Sequence, residues 1–225
     1  MSNRFTPQDI IEKKNSSKVV AMTCYSARIA IILDRHTDIL LVGDSLGMVL
    51  YGHPNTLSVT EQMMQEHGKA VVNNSKKSLI AIDLPFGTYE SGSDLAFKTA
   101  SKLLEKTGAT AVKLEGGKSM IKTVEYLVKK GIPVIGHIGL MPQKFKNASD
   151  FKSKGHSIKE QKDILNDALL LEEAGVFSIV IEAVKESLAK KITNEVNIPT
   201  IGIGAGRFCD GQILVTDDML GMYED

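Results

Sequence analysis

"DILLVGDSLGM", residues 38–48, is an apolar run that stops abruptly at Gly43-Asp44-Ser45. Its four central residues, Ile39 to Val42, are all apolar rather than alternating with polar ones. A strand covered on both faces reads this way, and a strand with one face in water does not. Seven further runs share the character: KVVAMTCY (18–25), SLIAIDLPF (78–86), TAVKLEGG (110–117), IPVIGHIGL (132–140), FSIVIEAV (177–184), IPTIGIGAG (198–206) and QILVTDD (212–218). Amphipathic stretches lie between most of them. In 93–108 Ala96, Ala100, Leu103 and Leu104 share one face, and in 119–131 Ile121, Val124 and Val128 do. Gly108, Gly131 and Gly175 stand where these helices should stop. Eight buried strands alternating with helices predict an α/β fold, a (β/α)₈ TIM barrel over residues 1–225 as a single domain, with a doubly wound open sheet as the alternative. Thr6 and Pro7 predict a leading helix before the first strand. The chain stops at LGMYED just after the eighth run, so the last helix of a complete barrel is expected to be missing.

The composition is that of a soluble domain, 43% hydrophobic and 24% charged. Lys plus Arg and Asp plus Glu are equal at 27 each, which argues against nucleic acid or an anionic membrane as partner. No apolar run reaches the roughly 18–20 residues of a bilayer span, and the first residues lack the apolar core of a signal peptide. Cys24 and Cys209 have no metal-ligand spacing and read as buried small hydrophobes in a reducing, cytoplasmic compartment.

In a parallel barrel the C-terminal ends of the strands build the active site. Here those ends carry Asp44 and Ser45, then Asp83, then Lys113 and Glu115, then His137, then Glu182. A single strand-end Asp is usually a helix cap, and a single barrel His a satisfied core group. Five adjacent strands ending in ionisable groups are better explained by one shared mouth. Two carboxylates about 4 Å apart repel by about 4 kcal/mol at an effective dielectric near 20. Asp44, Asp83 and Glu115 together therefore call for a cation or raised pKa values. Hard oxygen donors without a Cys or His cluster suit Mg²⁺, with Mn²⁺ as the alternative, rather than zinc. The glycines of "IGIGAG" do not match G-x-G-x-x-G, and "EGGKSM" lacks the phosphate-loop spacing. His36, His53, His67 and His156 are expected to be solvated, His53 least clearly so.

Several blocks in order, "LLVGDSLGMVLYGH", "IDLPFGTY", "AVKLEGG", "PVIGHIGL-PQ", "LEEAG", "ESLAKKIT" and "IPTIGIGAG--CDGQILV", resemble the ketopantoate hydroxymethyltransferases from about residue 18 onward. The resemblance implies a magnesium-dependent barrel enzyme of pantothenate biosynthesis. It would transfer a one-carbon unit from 5,10-methylenetetrahydrofolate to 3-methyl-2-oxobutanoate through a metal-stabilised enolate. It further implies that Asp44 and Asp83 hold the metal with Glu115 in its shell, and that Ser45, Asp83 and Lys113 contact the keto acid. His137 would line the site, Glu182 would be the base, and the assembly would be a homo-oligomer, a decamer. Glu182 sits in "VIEAV", apolar on both sides, which suggests a poorly hydrated carboxylate suited to that role. The chain departs from the family pattern at Ser26, Pro54 and Ser149-Asp150. Two other readings are a lyase of the phosphoenolpyruvate mutase and isocitrate lyase type, whose K-K-C-G-H loop is not found here, and a non-catalytic remnant that kept the scaffold.

Overall fold

The computed structural model describes residues 4–222. In chain order the elements are α1 (Pro7–Ile11), β1 (Val19–Thr23), α2 (Ala27–Leu33), β2 (Ile39–Val42), α3 (Leu46–Val49), α4 (Glu61–Asn73), β3 (Leu79–Asp83), α5 (Ser93–Thr107), β4 (Ala111–Glu115), α6 (Ile121–Lys129), β5 (Val134–Gly139), α7 (Ile158–Glu173), β6 (Ser178–Glu182), α8 (Glu186–Glu195), β7 (Thr200–Ile203), β8 (Gly211–Leu214) and α9 (Thr216–Met219). The eight strands close in sequence order into a barrel. Every neighbouring pair is parallel, including β8 with β1. The open-sheet alternative is thereby excluded.

Side chains alternate along each strand, so each strand feeds two cores. Leu40, Val42, Ile80, Ile82, Val112, Leu114, Ile179 and Ile181 face outward into the layer shared with the helices. Ile39, Leu41, Leu79, Ala81, Ala111, Ile135, Val180 and Ile201 fill the barrel interior. This two-sided burial is why the runs read as continuously apolar.

The leading helix forms as expected. Thr6 caps α1 in a reciprocal pair with Asp9, and Pro7 stands in the first turn. Its Ile10 is fully buried among the first residues of the strands. Lys13 pairs with Asp38 at 3.1 Å and Lys14 with Asp210 at 2.7 Å, just ahead of β2 and β8. The N-terminal end of the barrel is thus plugged and its charges are matched, which leaves the other end for chemistry.

At the seam between β8 and β1 the outward side chains lack cover. Val20 is 45% exposed and Leu214 42%, and Ile31 and Ile32 on α2 are exposed beside them. Among the described residues only the single turn α9 follows β8. Residues 223–225 of the terminal LGMYED lie outside the described residues.

Candidate active site

The same alternation that builds the interior carries polar side chains to its top layer. After Leu79 and Ala81 the next inward position on β3 is Asp83. After Ala111 on β4 come Lys113 and Glu115. On β5 His137 follows Ile135, and on β6 Glu182 follows Val180. Strand register sets Asp83 beside Lys113 and Glu115 beside His137. All of them, with Asp44 and Ser45, line one cavity of about 530 Å³ at the C-terminal end of the barrel. Each site residue expected from the sequence is therefore in one place.

On β2 the inward phase after Ile39 and Leu41 falls on Gly43. A Cβ there would lie 2.9 Å from the Ser45 hydroxyl and 3.5 Å from Asp83 Oδ2, so glycine lets the two polar groups come close to the backbone. The Asp44 main-chain N–H donates to Asp83 Oδ2 at 3.1 Å. The Asp44 carboxylate is not a helix cap. Ser45 holds the cap position of α3 and makes no side-chain capping bond. Instead Asp44 Oδ2 accepts from the Gln143 amide at 2.8 Å, and the Ser45 hydroxyl shares a 2.8 Å hydrogen bond with that of Tyr25.

Lys113 is the cation of the site. Its Nζ lies 2.9 Å from Asp83 Oδ1, at ion-pair distance, and 3.3 Å from His137 Nδ1. An ammonium can only donate, so Nδ1 accepts and the imidazole proton sits on Nε2. That nitrogen lies 3.2 Å from Glu182 Oε2, within ion-pair reach though not in hydrogen-bond alignment. Asp83, Lys113, His137 and Glu182 thus form one line of charge across β3, β4, β5 and β6. Glu182 is less enclosed than its apolar neighbours in sequence suggest. Its side chain is 21% exposed because it ends its strand facing the cavity.

Burial and mutual repulsion set the protonation states. Burial, reinforced by the charge on Asp83 and opposed by Lys113, pushes Asp44 up to about 7. Burial also raises Glu115 well above the usual range, with Lys113 opposing and Asp44, Asp83 and Glu182 adding. Burial alone would lower Lys113, but Asp83, Glu115 and Asp44 outweigh it and the net shift is upward. Burial and then Lys113 lower His137 against the pull of Glu182, so its imidazole is neutral at pH 7.

The metal question is more open than the sequence suggests. Among the described residues no three His, Cys, Asp or Glu side chains are grouped to hold a metal ion. Two of the three carboxylates expected to serve a metal, Glu115 and Asp83, also have partners within the protein. Glu115 Oε2 accepts from the main-chain N–H of Gln143 at 3.1 Å, and Lys113 already neutralises Asp83. Asp44 and Asp83 nonetheless form an oxygen-rich pair in which burial first, and then the charge on Asp83, raises Asp44, an environment that a hard divalent cation relieves.

A pH prediction follows for metal-free protein. Asp44 has a folded pKa of about 7 against 3.8 as the unperturbed value. A raised pKa contributes stability that is fully present below the unfolded value and lost as pH rises through the folded one. Asp44 alone should therefore cost stability between pH 4 and pH 7, on the order of 1 kcal/mol per pH unit. Denaturant unfolding in chelator from pH 5 to pH 8 should show this decline in the wild type and a flatter profile in Asp44→Asn. Equal slopes would remove the assignment.

Sequence reasoning missed Gln143, Tyr89 and Tyr25. Gln143 is buried and stands in a one-turn 3-10 helix after β5. The only signal was its place four residues beyond Gly139, the last residue of a strand whose polar end had already been noted. The secondary histidines divide. His36 and His156 are exposed as expected. His67 donates to the Tyr25 carbonyl at 2.6 Å, and His53 lines the cavity beside Pro54. Phe151, after the Ser149-Asp150 departure, closes part of the rim and packs edge-on against Phe145. Cys24 and Cys209 are buried and free. Among the described residues no helix is long and apolar enough to cross a membrane.

Comparison with known proteins adds an independent line. A family model described as ketopantoate hydroxymethyltransferase matches residues 4–225. The chain is 48% identical over 221 residues to the 3-methyl-2-oxobutanoate hydroxymethyltransferase of Phenylobacterium zucineum, covering 98% of this chain and 80% of that one. It is 52% identical over 214 residues to the enzyme of the same name from Pelagibacter ubique, covering 95% and 82%. Among solved structures it is similar to a phosphonopyruvate hydrolase in complex with oxalate and Mg²⁺, with a TM-score of 0.72 and 11% identity over 97% of this chain and 83% of that one. It is also similar to a 2,3-dimethylmalate lyase of the phosphoenolpyruvate mutase and isocitrate lyase superfamily, with a TM-score of 0.65 and 13% identity over 96% and 82%. At such identities the structural likeness speaks to the fold alone.

Proposed function

This chain belongs to the ketopantoate hydroxymethyltransferase family, and we propose that it transfers a one-carbon unit from 5,10-methylenetetrahydrofolate to C3 of 3-methyl-2-oxobutanoate, giving ketopantoate for pantothenate biosynthesis. The observation that carries this reading is the line from Asp83 through Lys113 and His137 to Glu182. It sets a cation on β4 and a carboxylate base on β6 along one wall of the cavity, with His137 of β5 between them.

Glu182 is the base that takes the C3 proton. It faces the cavity, and the Nε2–H of neutral His137 lies 3.2 Å from its Oε2. Lys113 puts its charge where negative charge grows on the keto acid as that proton leaves, in a site with little water to screen it. Asp83 keeps Lys113 in place, and Ser45, held by Tyr25, offers its hydroxyl to the substrate. Mg²⁺ or Mn²⁺ held by Asp44 and Asp83, with Glu115 behind them, would supply further Lewis-acid charge beside the keto-acid oxygens. Water adds to the methylene carbon of the folate and both its C–N bonds break, which releases tetrahydrofolate and leaves that carbon at the level of formaldehyde. The C3 carbanion bonds to this carbonyl carbon, and the alkoxide formed takes back the proton that Glu182 removed. The apolar rim, including Met48, Phe151, Ile203 and Val215, suits the alkyl end of the keto acid and the flat ring of the folate.

Proton removal should not need the folate. In D₂O with Mg²⁺, the C3 proton of 3-methyl-2-oxobutanoate is expected to exchange for deuterium, and proton NMR reads the loss. Excess chelator should stop the exchange. Exchange that continues in chelator would remove the metal from this proposal, and no exchange under any condition would remove the base.

The proposal includes a cytoplasmic homo-oligomer, the decamer implied by resemblance. Val20, Leu214, Ile31 and Ile32 are exposed apolar side chains that association would bury. Sedimentation should give a mass well above the 24.5 kDa chain, and a stable monomer would contradict it.

A further inference from the structure

Every polar atom of the Gln143 side chain is used, and one of its partners, Asp44, lines the cavity. Both protons on Nε2 are donated, one to Asp44 Oδ2 at 2.8 Å and the other to the Leu84 carbonyl at 3.0 Å. Oε1 accepts from the Tyr89 hydroxyl at 2.5 Å. The Gln143 main-chain N–H donates to Glu115 Oε2 at 3.1 Å. The Tyr89 hydroxyl in turn accepts from the Glu115 main-chain N–H at 3.3 Å. With a hydroxyl proton on one end and a carbonyl and a carboxylate on the other, the amide has only one favourable orientation.

We infer that Gln143 is a positioning residue that aims the Asp44 and Glu115 carboxylates into the cavity, with Tyr89 locking its amide. It engages Oδ2 of Asp44, so Oδ1 is the oxygen of that carboxylate that Gln143 leaves unbonded. Its main-chain N–H engages Oε2 of Glu115. One buried side chain thus ties the segments that follow β2 and β3 to the loop after β5, and its backbone adds the end of β4. Groups that orient metal-facing carboxylates typically change metal affinity by about 10–100-fold when removed. The inference rests on the proposal that Asp44 and Asp83 take a divalent cation.

The test is Mn²⁺ binding to the folded protein, followed by electron paramagnetic resonance and calorimetry without substrate. Four proteins are compared: wild type, Asp83→Asn, Gln143→Met and Tyr89→Phe. Gln143→Met keeps the volume and removes every side-chain hydrogen bond. Tyr89→Phe touches neither carboxylate side chain; it releases the far end of the amide and the Glu115 main-chain N–H. The expected result is Mn²⁺ binding in the wild type that Asp83→Asn abolishes. Gln143→Met should then weaken it by about 10-fold or more and Tyr89→Phe by a smaller factor, with KM for the keto acid rising in the same order. A wild type that binds no Mn²⁺ would overturn the metal proposal itself. Wild-type binding that Gln143→Met and Tyr89→Phe leave unchanged would overturn this inference alone. If Gln143→Met fails to fold, as thermal unfolding will show, Tyr89→Phe decides it by the same criterion.

Discussion

Asp83→Asn is expected to lower turnover by about 10²–10³-fold, whereas Ser45→Ala should cost about fivefold. The difference follows from charge and burial. Asp83 is buried and lies 2.9 Å from the Lys113 ammonium. Removing one partner of a buried pair leaves the other charge poorly compensated, at about 3–5 kcal/mol. The neutral amide would still accept the Asp44 main-chain N–H, so the backbone has no need to move. What is lost is the charge that anchors Lys113 and half of the pair proposed to face the metal. Ser45 contributes one neutral hydroxyl, paired with Tyr25, and such a bond is worth about 1 kcal/mol. Steady-state kinetics on the two variants decide the order. Equal losses would mean that Asp83 acts as an ordinary polar neighbour and not as the anchor of the charged line.

Glu182→Gln is expected to slow deuterium exchange at C3 by about 10²–10⁴-fold, the usual worth of a general base. Glutamine keeps the shape of the side chain and can still pair with His137 Nε2–H, but it cannot accept a proton. Binding of the keto acid should survive, because no contact proposed for its oxygens depends on Glu182. A loss in rate with substrate affinity intact marks a group that acts only as the transition state forms. Exchange undiminished in Glu182→Gln would move the role to His137, the nearest other group with a proton-accepting form. The sense of the His137 shift makes that alternative testable. Its neutral Nδ1 already accepts from Lys113, so His137→Asn would then be the variant that stops exchange.

Much of the fold was legible because burial on both faces of a strand leaves a simple mark. Continuous apolar runs, such as Leu79 to Ile82, are rare outside parallel sheets, and their regular alternation with helices left few topologies. The polar ends of those runs were equally legible. Asp83, Lys113, His137 and Glu182 follow in phase from inward-facing residues two positions earlier, and period two is visible in a sequence. Gly43 escaped because its role is the absence of a side chain next to Asp83, which only the packed structure reveals. Gln143 and Tyr89 escaped for a different reason. They enter from loops, where no periodicity fixes direction, and each acts through a partner more than 25 residues away in sequence. The surroundings of the three carboxylates expected to serve the metal were only partly legible. Charge counting showed that Asp44, Asp83 and Glu115 needed relief, but not that Lys113 and the Gln143 backbone already supply part of it.

The central claim is that this cavity adds one carbon to C3 of a branched 2-keto acid. The most direct measurement incubates the purified protein with Mg²⁺, 3-methyl-2-oxobutanoate and 5,10-methylenetetrahydrofolate carrying a labelled methylene, and follows the label by mass spectrometry. The expected result is labelled ketopantoate together with tetrahydrofolate, abolished by Glu182→Gln. A folded, metal-bound protein that leaves both substrates untouched, or that instead cleaves a C–C bond in a larger acid, would contradict it.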